Sequence, residues 1–131
     1  MKKLLFALAL TCSVLVSCKE VDPDYASGIE GKYIIKSTNR NGTIVTLTDD
    51  QSYIKLTRTS DNTVKYEQHL AAGDTTYTGV KIDSYGNAFH LNFTDVRDTL
   101  TGEESYKNLT IRVKSEPSAT PNEFTLSATR Q

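Results

Sequence analysis

From Glu30 onward the chain consists of short segments in which apolar and polar residues alternate, and no helical period appears after residue 17. In the segment 64–70, for example, Val64, Tyr66 and Leu70 fall on one face and mostly charged side chains fall on the other. A period of two residues is typical of a β-strand with one buried face. This pattern restricts the chain to an all-β fold whose strands are apolar on one side.

Turn-forming residues, chiefly glycine, asparagine, aspartate and serine, interrupt the alternation about every ten residues. We predict eight strands, at residues 31–38, 43–48, 52–59, 63–70, 75–83, 88–94, 105–114 and 123–130. Most of the connections are short enough for hairpins, which makes the strands a sequential antiparallel meander. Residues 95–104 and 115–122 are expected to form longer loops.

An eight-stranded antiparallel meander can bury its apolar face by closing into an up-and-down barrel or by folding over as a β-sandwich. Closure also removes the exposed sheet edges, so the barrel is favoured. The alternation predicts an inward-facing set of large apolar side chains: Tyr33, Ile35, Val45, Leu47, Ile54, Leu56, Val64, Tyr66, Leu70, Val80, Ile82, Phe89, Leu91, Phe93, Leu109, Ile111, Val113, Phe124 and Leu126.

The N-terminus has a different composition from the rest. Met1-Lys2-Lys3 is a short basic segment, and residues 4–16 form an apolar run interrupted by Thr11, Cys12 and Ser13. A helix of this length rises about 20 Å, which is less than the hydrocarbon thickness of a bilayer, about 30 Å. The segment is therefore predicted to be a secretory signal peptide.

The sequence Leu15-Val16-Ser17-Cys18, which follows this run, resembles the lipobox of bacterial lipoproteins. The resemblance implies that the Cys18 thiol receives a diacylglycerol, that the signal is cut before Cys18, and that the new amino group is acylated, for example with palmitate. Two or more acyl chains anchor a protein stably. Because Cys12 leaves with the signal, the folded part is expected to contain no disulfide.

These features divide the chain into a signal peptide at residues 1–17, a lipidated cysteine with a flexible acidic tether at 18–29, and a β-barrel domain at 30–131. In lipoproteins, an Asp directly after the cysteine is associated with retention in the inner membrane. Lys19 occupies that position here, which favours the cell outer membrane. Glu20, Asp22 and Asp24 are typical of surface export tags, but they suit a solvated tether equally well, so the periplasmic face and the cell surface both remain open.

A second resemblance involves Gly31-Lys32-Tyr33 and Arg130, in the first and last predicted strands. The pattern resembles that of calycins, the lipocalin-like barrels, in which G-x-W opens the barrel and a late arginine packs over the tryptophan. Tyr33 stands here in place of that tryptophan. The resemblance implies a barrel that holds a small apolar ligand, and the candidate interior ligand-binding residues are Tyr33, Tyr66, Phe89 and Phe93.

Charge and motifs argue against several other functions. Lys2 and Lys3 leave with the signal, so 13 of 15 basic groups remain against 16 acidic ones, a net charge of −3 with no basic stripe to bind nucleic acid. No nucleophile, phosphate-loop or metal motif is present, which predicts a non-enzymatic protein without metal or cofactor. His69 and His90 fall on the polar faces of separate predicted strands, and Glu103-Glu104 is interpreted as a solvated acidic pair in a loop.

The alternative function is a protein-interaction module, such as a hydrolase inhibitor or an accessory subunit of a surface assembly. Aromatic side chains on the outside of a barrel are suited to protein recognition. The strand pattern places four tyrosines on outward faces or in turns: Tyr53, Tyr77, Tyr85 and Tyr106. Their alternative role is cross-strand packing on the outer face.

Overall fold

The computed structural model describes residues 23–93, 98–115 and 122–131, and the signal and Cys18 lie outside them. These residues form one short helix and nine strands. They are α1 (Tyr25–Ile29), β1 (Gly31–Arg40), β2 (Thr43–Thr46), β3 (Tyr53–Ser60), β4 (Thr63–Leu70), β5 (Gly73–Tyr85), β6 (Ala88–Asn92), β7 (Asp98–Ser105), β8 (Asn108–Ser115) and β9 (Asn122–Arg130). No helix within these ranges is long and apolar enough to cross a bilayer.

The nine strands form one antiparallel sheet in the order β2-β1-β3-β4-β5-β6-β7-β8-β9, and a further pairing joins β1 to β9. This pairing closes β1 and β3–β9 into an eight-stranded barrel, with β2 added alongside the second half of β1 from Ser37 to Arg40. The predicted fold class, an all-β antiparallel meander closed as a barrel rather than a sandwich, is confirmed.

Two segments were assigned incorrectly. The predicted strand 43–48 became β2, which lies outside the closed barrel, and most of β7, which completes the barrel, falls in the predicted loop 95–104. The interior positions of β7 include Gly102 and Glu104, so the strand shows no apolar alternation. A Cβ added to Gly102 would approach Ile111 Cδ1 to 2.8 Å and Leu91 Cβ to 3.1 Å, so the packing leaves no room for a larger side chain.

The core lies inside the barrel and agrees with most of the predicted inward set. The side chains of Tyr33, Ile35, Ile54, Leu56, Val64, Tyr66, Val80, Ile82, Leu91, Leu109, Ile111 and Leu126 are buried, and Leu47, Leu70, Phe89, Phe93 and Phe124 pack against them partly buried. Val45 was predicted incorrectly, because β2 is an appended strand and this side chain is 51% exposed. The Val113 side chain lies outside the described part of the structure.

The folded domain begins earlier than residue 30. The Asp24 side chain caps α1 by accepting a hydrogen bond from the Ser27 backbone N–H at 3.0 Å, and Ala26 and Ile29 are fully buried. The Ala26 N–H also donates to the Asp61 carbonyl at 2.9 Å. The prediction that the flexible tether extends to residue 29 is therefore wrong for α1. A helix of five residues is too short to leave a periodic signal.

The two ends of the barrel differ. We call the end that carries α1 and the turns at 61–62, 86–87 and 106–107 the helix end, and the end that carries the turns at 41–42 and 71–72 the distal end. β1 has 10 residues, so at about 3.3 Å per residue these ends lie about 30 Å apart. The N-terminal segment therefore enters the domain at the helix end.

Candidate functional site

Three residues from the two ends of the chain meet at the helix end of the barrel. Tyr33 and Arg130 are direct cross-strand partners in the β1–β9 pairing. The Arg130 guanidinium donates to the Gly28 carbonyl, which belongs to α1, at 2.7 Å and also to the carbonyl of Glu30, which directly follows α1. Gly31 has a φ of 152°, and a Cβ at this position would lie 2.9 Å from Arg130 Nε. The arginine therefore packs directly over the start of the first strand.

The Tyr33 side chain is fully buried and fixes α1 in the barrel mouth, since its hydroxyl donates to the Ile29 carbonyl at 2.6 Å. Burial raises the pKa of this hydroxyl, and the negative charge of Glu104 raises it further. Tyr33 thus remains a neutral hydrogen-bond donor over the whole physiological pH range.

Glu104 was interpreted from the sequence as a solvated loop residue, but its side chain points into the barrel and is only 4% exposed. Its Oε1 accepts the backbone N–H of Lys107 at 2.9 Å. Burial raises the pKa of this carboxyl, and the Lys107 N–H and the charge of Arg130 offset the rise only in part. The neighbouring Glu103 lies on the outer face, so the two carboxylates form no common site.

Replacing Glu104 by glutamine is expected to stabilise the domain at pH 7–8. Because burial raises the native-state pKa, the folded chain keeps this proton to a higher pH than the unfolded chain, so stability falls as the pH rises from the unfolded-state pKa through the raised native pKa. Glutamine keeps an oxygen to accept the Lys107 N–H but carries no charge. Urea denaturation should show that the advantage of Glu104→Gln shrinks as the pH falls and vanishes below about pH 4, where the carboxyl is protonated in both folded and unfolded chains. Glu103→Gln is the matched control, and an equal gain in both variants would contradict the prediction.

Three aromatic rings form a cluster that packs against the barrel core. Tyr66 and Tyr77 each contact Phe93 edge to face, with ring centroids 5.2 and 5.4 Å apart, and lie 5.9 Å from each other. The Tyr66 hydroxyl donates to Gln68 Oε1 at 2.6 Å, and burial raises the pKa of this hydroxyl. Tyr77 was predicted to face outward, so that prediction is wrong.

The four predicted ligand-binding residues do not converge on one space. Tyr33 holds α1, and Phe89 packs at the same end against Tyr25, with ring centroids 6.0 Å apart. Tyr66 and Phe93 belong instead to the aromatic cluster. Each of these side chains contacts other parts of the protein, and both tyrosine hydroxyls are hydrogen-bonded.

The outer face carries two aromatic features on different strands. Tyr53 stacks on His69, with ring centroids 4.4 Å apart, and the Lys32 ammonium lies 4.3 Å from the centre of the Tyr53 ring. His69 Nδ1 lies 3.1 Å from Asp74 Oδ1. His90 contacts Tyr85 instead, at 6.2 Å between ring centroids, so the two histidines occupy separate places, as predicted.

Two polar grooves cross the outer face. The larger, which we call the outer groove, has a volume of about 420 Å³ and is lined by Ser37, Asn39, Ile44, Arg112, Glu123, Thr125 and Ser127. The smaller has about 120 Å³ and is lined by His90, Thr101, Gly102, Glu103, Thr110 and Arg112. Arg112 lines both grooves. Over the described ranges, no group of three or more histidine, cysteine or acidic side chains is placed to hold a metal ion.

Three features of the barrel were not predicted from the sequence: the inward position of Glu104, the helix α1, and the groove beside β2. Glu104 and α1 gave no signal, because Glu104 lies in a polar strand and α1 is very short. The outer groove depends on β2, whose position beside β1 places Ile44 across from Asn39. Strand alternation could have shown that Arg112 and Thr125 face outward, but not that β2 makes a groove beside them.

No family model matches the chain, and no curated protein matches it. A crystal structure from Bacteroides fragilis, described as a "putative outer membrane protein", has a similar fold, with a TM-score of 0.56 and 22% sequence identity. The similarity covers 81% of this chain and 52% of that chain, so the present chain corresponds to about half of the other protein. At this level of identity the two proteins share a β-barrel fold.

Proposed function

We propose that this protein is a lipid-anchored, non-enzymatic component of the bacterial outer membrane that binds a partner protein on the outside of its barrel. The observation that carries the proposal is that the polar groups of the large side chains inside the barrel are bonded to the protein itself. Tyr33 and Tyr66 are at most 1% exposed, and both donate their hydroxyl hydrogen bonds within the protein. The interior therefore serves the fold, which favours recognition on the exterior.

A small apolar ligand in the interior is the competing function. To enter beside Tyr66, such a ligand would have to break the edge-to-face contacts with Phe93 and Tyr77. To enter from the helix end, it would have to displace α1, which the hydroxyl of Tyr33 and the guanidinium of Arg130 both hold. On either route the ligand would have to replace packing contacts that the protein already makes with itself. The structure therefore favours the interaction function.

The outer groove is the candidate partner site. It combines the Arg112 guanidinium and the Glu123 carboxylate with threonine, serine and asparagine side chains. Ile44 is 66% exposed at its border, on the strand that ends the sheet order. An apolar residue beside adaptable polar groups is suited to protein recognition, and an edge strand can also pair with an extended segment of a partner.

Several observations support attachment through lipid on Cys18. The lipobox-like sequence Leu15-Val16-Ser17-Cys18 lies a few residues before the helix end. Lys32, Lys55 and Lys81 are exposed on the outer face while the core is apolar, the reverse of the apolar outer band of a membrane-spanning barrel. The fold is similar to that of a protein described as a "putative outer membrane protein", and Lys19 follows the cysteine of this chain. Both observations support a location at the outer membrane, on either its periplasmic or its surface side.

The partner site can be tested by placing a photo-crosslinking amino acid in the full chain in its native host. At Ile44, and separately at Thr125, illumination is expected to give one adduct of the same mass, because both positions border the outer groove. Lys55 is the control, since it is also exposed but lies on β3, away from the groove. Adduct formation is read by immunoblot and the partner is identified by mass spectrometry.

Native mass spectrometry of the protein purified from the same cells distinguishes the two functions. The proposed function predicts the mass of the processed, lipidated chain with no further small molecule. A small apolar molecule retained in stoichiometric amount, together with identical crosslinking patterns at Ile44 and Lys55, would reject the interaction function in favour of ligand binding.

A further inference from the structure

We propose that the helix end of the barrel rests on the bilayer, with Tyr85 and Tyr106 inserted at the lipid–water interface. This inference rests on the proposed lipid anchor at Cys18 and adds to it a fixed orientation and a second, side-chain contact with the membrane. The contacts that carry it lie at the helix end, where the described part of the chain begins.

The point at which the chain leaves the domain is fixed. Arg58 forms an ion pair with Asp24 at 3.1 Å and also binds Asp61, and the Ala26 N–H donates to the Asp61 carbonyl. Pro23 is therefore held beside the β3–β4 turn. Four residues lie between Cys18 and Pro23, so the five Cα-to-Cα steps from one to the other span at most about 18 Å when fully extended. A lipid on Cys18 thus brings the helix end close to the bilayer, while the distal end lies about 30 Å farther out.

Two tyrosines project from the same end. Tyr85 is 82% exposed and Tyr106 is 78% exposed, at the tips of the β5–β6 and β7–β8 hairpins. The tips are neighbours, since Asn87 Nδ2 donates to the Tyr106 hydroxyl at 3.4 Å. A tyrosine ring with an apolar body and a polar tip is suited to the headgroup region of a membrane, where such residues are enriched.

The backbone conformation of the β7–β8 tip is unfavourable for the residue types found there. Tyr106 and Lys107 have φ values of 51° and 70°, which matches a two-residue turn with both central residues left-handed. The β1–β2 hairpin at the distal end has the same kind of turn but uses Asn41 and Gly42, with φ values of 50° and 88°. A tyrosine and a lysine carry a conformational cost there that Asn-Gly avoids. An exposed aromatic residue at a strained tip therefore points to a role outside the fold.

The charges at this end suit a bilayer surface without requiring anionic lipid. The described charged groups around the helix end include Asp24, Glu30, Arg58, Asp61, Lys107 and Arg130, together with the buried Glu104. Since this set has no excess of basic groups, contact is expected to depend on the tyrosine rings rather than on electrostatic attraction to negatively charged headgroups. The occupant we infer is the interface of a zwitterionic bilayer.

The chain contains no tryptophan, so a single Trp reports on its own position. The full chain is expressed with its own signal, and the lipidated protein is placed in phosphatidylcholine vesicles with and without brominated acyl chains. In Tyr85→Trp and Tyr106→Trp, emission is expected to shift to shorter wavelength and to be quenched about twofold or more by the brominated lipid. Val45→Trp is the control, because Val45 is 51% exposed on β2 beside the distal-end turn, and its emission is expected to stay unchanged.

The mass of the purified protein distinguishes failure of the proposed orientation from failure of the proposed lipid anchor. If the protein carries lipid and binds vesicles, but the Tyr85→Trp and Tyr106→Trp reporters are quenched no more than Val45→Trp, the orientation is overturned and the anchor stands. If the protein carries no lipid, the anchor fails and the orientation fails with it. Because no other protein is present, quenching at the helix end alone supports contact with lipid and not with a partner protein.

A second variant distinguishes a membrane role from a structural one. Replacing Tyr106 and Lys107 together, Tyr106→Asn with Lys107→Gly, gives the β7–β8 tip the residues found at the β1–β2 tip. The urea midpoint is expected to rise, while quenching of the Tyr85→Trp reporter in the same chain falls, because half of the aromatic contact is lost. A lower midpoint or unchanged quenching would show that the tip serves the fold, which would overturn its membrane role.

Discussion

Replacement of Cys18 by serine is expected to abolish incorporation of labelled palmitate and to leave residues 1–17 attached. The lipobox-like sequence Leu15-Val16-Ser17-Cys18 supplies the thiol to which the diacylglycerol would be joined, and serine offers none. Because signal removal in lipoproteins follows lipid addition, the variant should be heavier in its polypeptide and free of fatty acid. Intact-mass measurement and fatty-acid labelling of whole cells report these two changes separately.

Cys12 provides a matched control for this variant, since it is the other cysteine of the chain and lies inside the apolar run. Cys12→Ser should be labelled and cleaved like the unaltered protein. If Cys18→Ser still takes up palmitate, or if Cys12→Ser loses it, the assignment of the lipid to Cys18 is wrong.

The largest effect on stability is expected at Tyr33. Tyr33→Ala removes a fully buried ring and the hydroxyl that holds the Ile29 carbonyl. Loss of a large buried aromatic side chain costs about 3–5 kcal/mol of unfolding free energy. Tyr33→Phe keeps the ring and leaves the Ile29 carbonyl without this donor, so its cost should be smaller, about 1–3 kcal/mol. Urea denaturation followed by circular dichroism measures both values.

Tyr85→Ala is the control for this series, because Tyr85 is 82% exposed. Substitutions at exposed positions without special contacts usually change stability by less than about 0.5 kcal/mol. Equal losses in Tyr33→Ala and Tyr85→Ala would mean that Tyr33 does not fix α1 in the barrel mouth. The Tyr33→Phe variant also tests α1 directly, since protease cleavage near Tyr25 should become faster when the hydroxyl bond is lost.

Alternation along the chain predicted the fold well where interior positions carry large apolar residues. β4 was predicted at its observed bounds, Thr63–Leu70, because its apolar residues alternate with polar ones. In the structure Val64 and Tyr66 are buried and the residues beside them are less so. The same reasoning failed for β7, whose interior positions include a glycine and a buried carboxylate. It also failed for β2, because local alternation indicates a strand but not whether the strand joins the barrel.

Tyr77 shows how one residue of register changes a prediction. Val64 pairs with Val80, but Tyr66 pairs with Tyr77, so β5 has one residue more than β4 between these pairs. Gly79 lies within this bulge at a φ of 67°, which glycine adopts without strain. Beyond the bulge the inward and outward faces of β5 exchange, so Tyr77 points into the barrel. A lone glycine inside a strand was the available signal.

The candidate site was predicted only in part, for a related reason. The contact among Gly31, Tyr33 and Arg130 followed from a recognisable sequence pattern, and the structure brings these residues together. The outward position of Tyr85 followed from its place in a predicted turn, and that of Tyr106 from the outward face of the predicted strand 105–114, although the structure places Tyr106 in the turn between β7 and β8. The outer groove could not be predicted, because it arises from how far β2 extends alongside β1, and this depends on tertiary pairing rather than on residue type.

The pairing of β1 with β9 also has a consequence for how the protein folds. It joins Tyr33 to Arg130, so the barrel closes by contacts between the two most distant parts of the domain. Contacts of such large sequence separation form slowly, because the loop-closure entropy must be lost before they stabilise the chain. The first strand therefore lacks its final neighbour until the last strand has been made. Slow closure would keep the polypeptide unfolded during synthesis, which is the state that export by the proposed signal peptide requires.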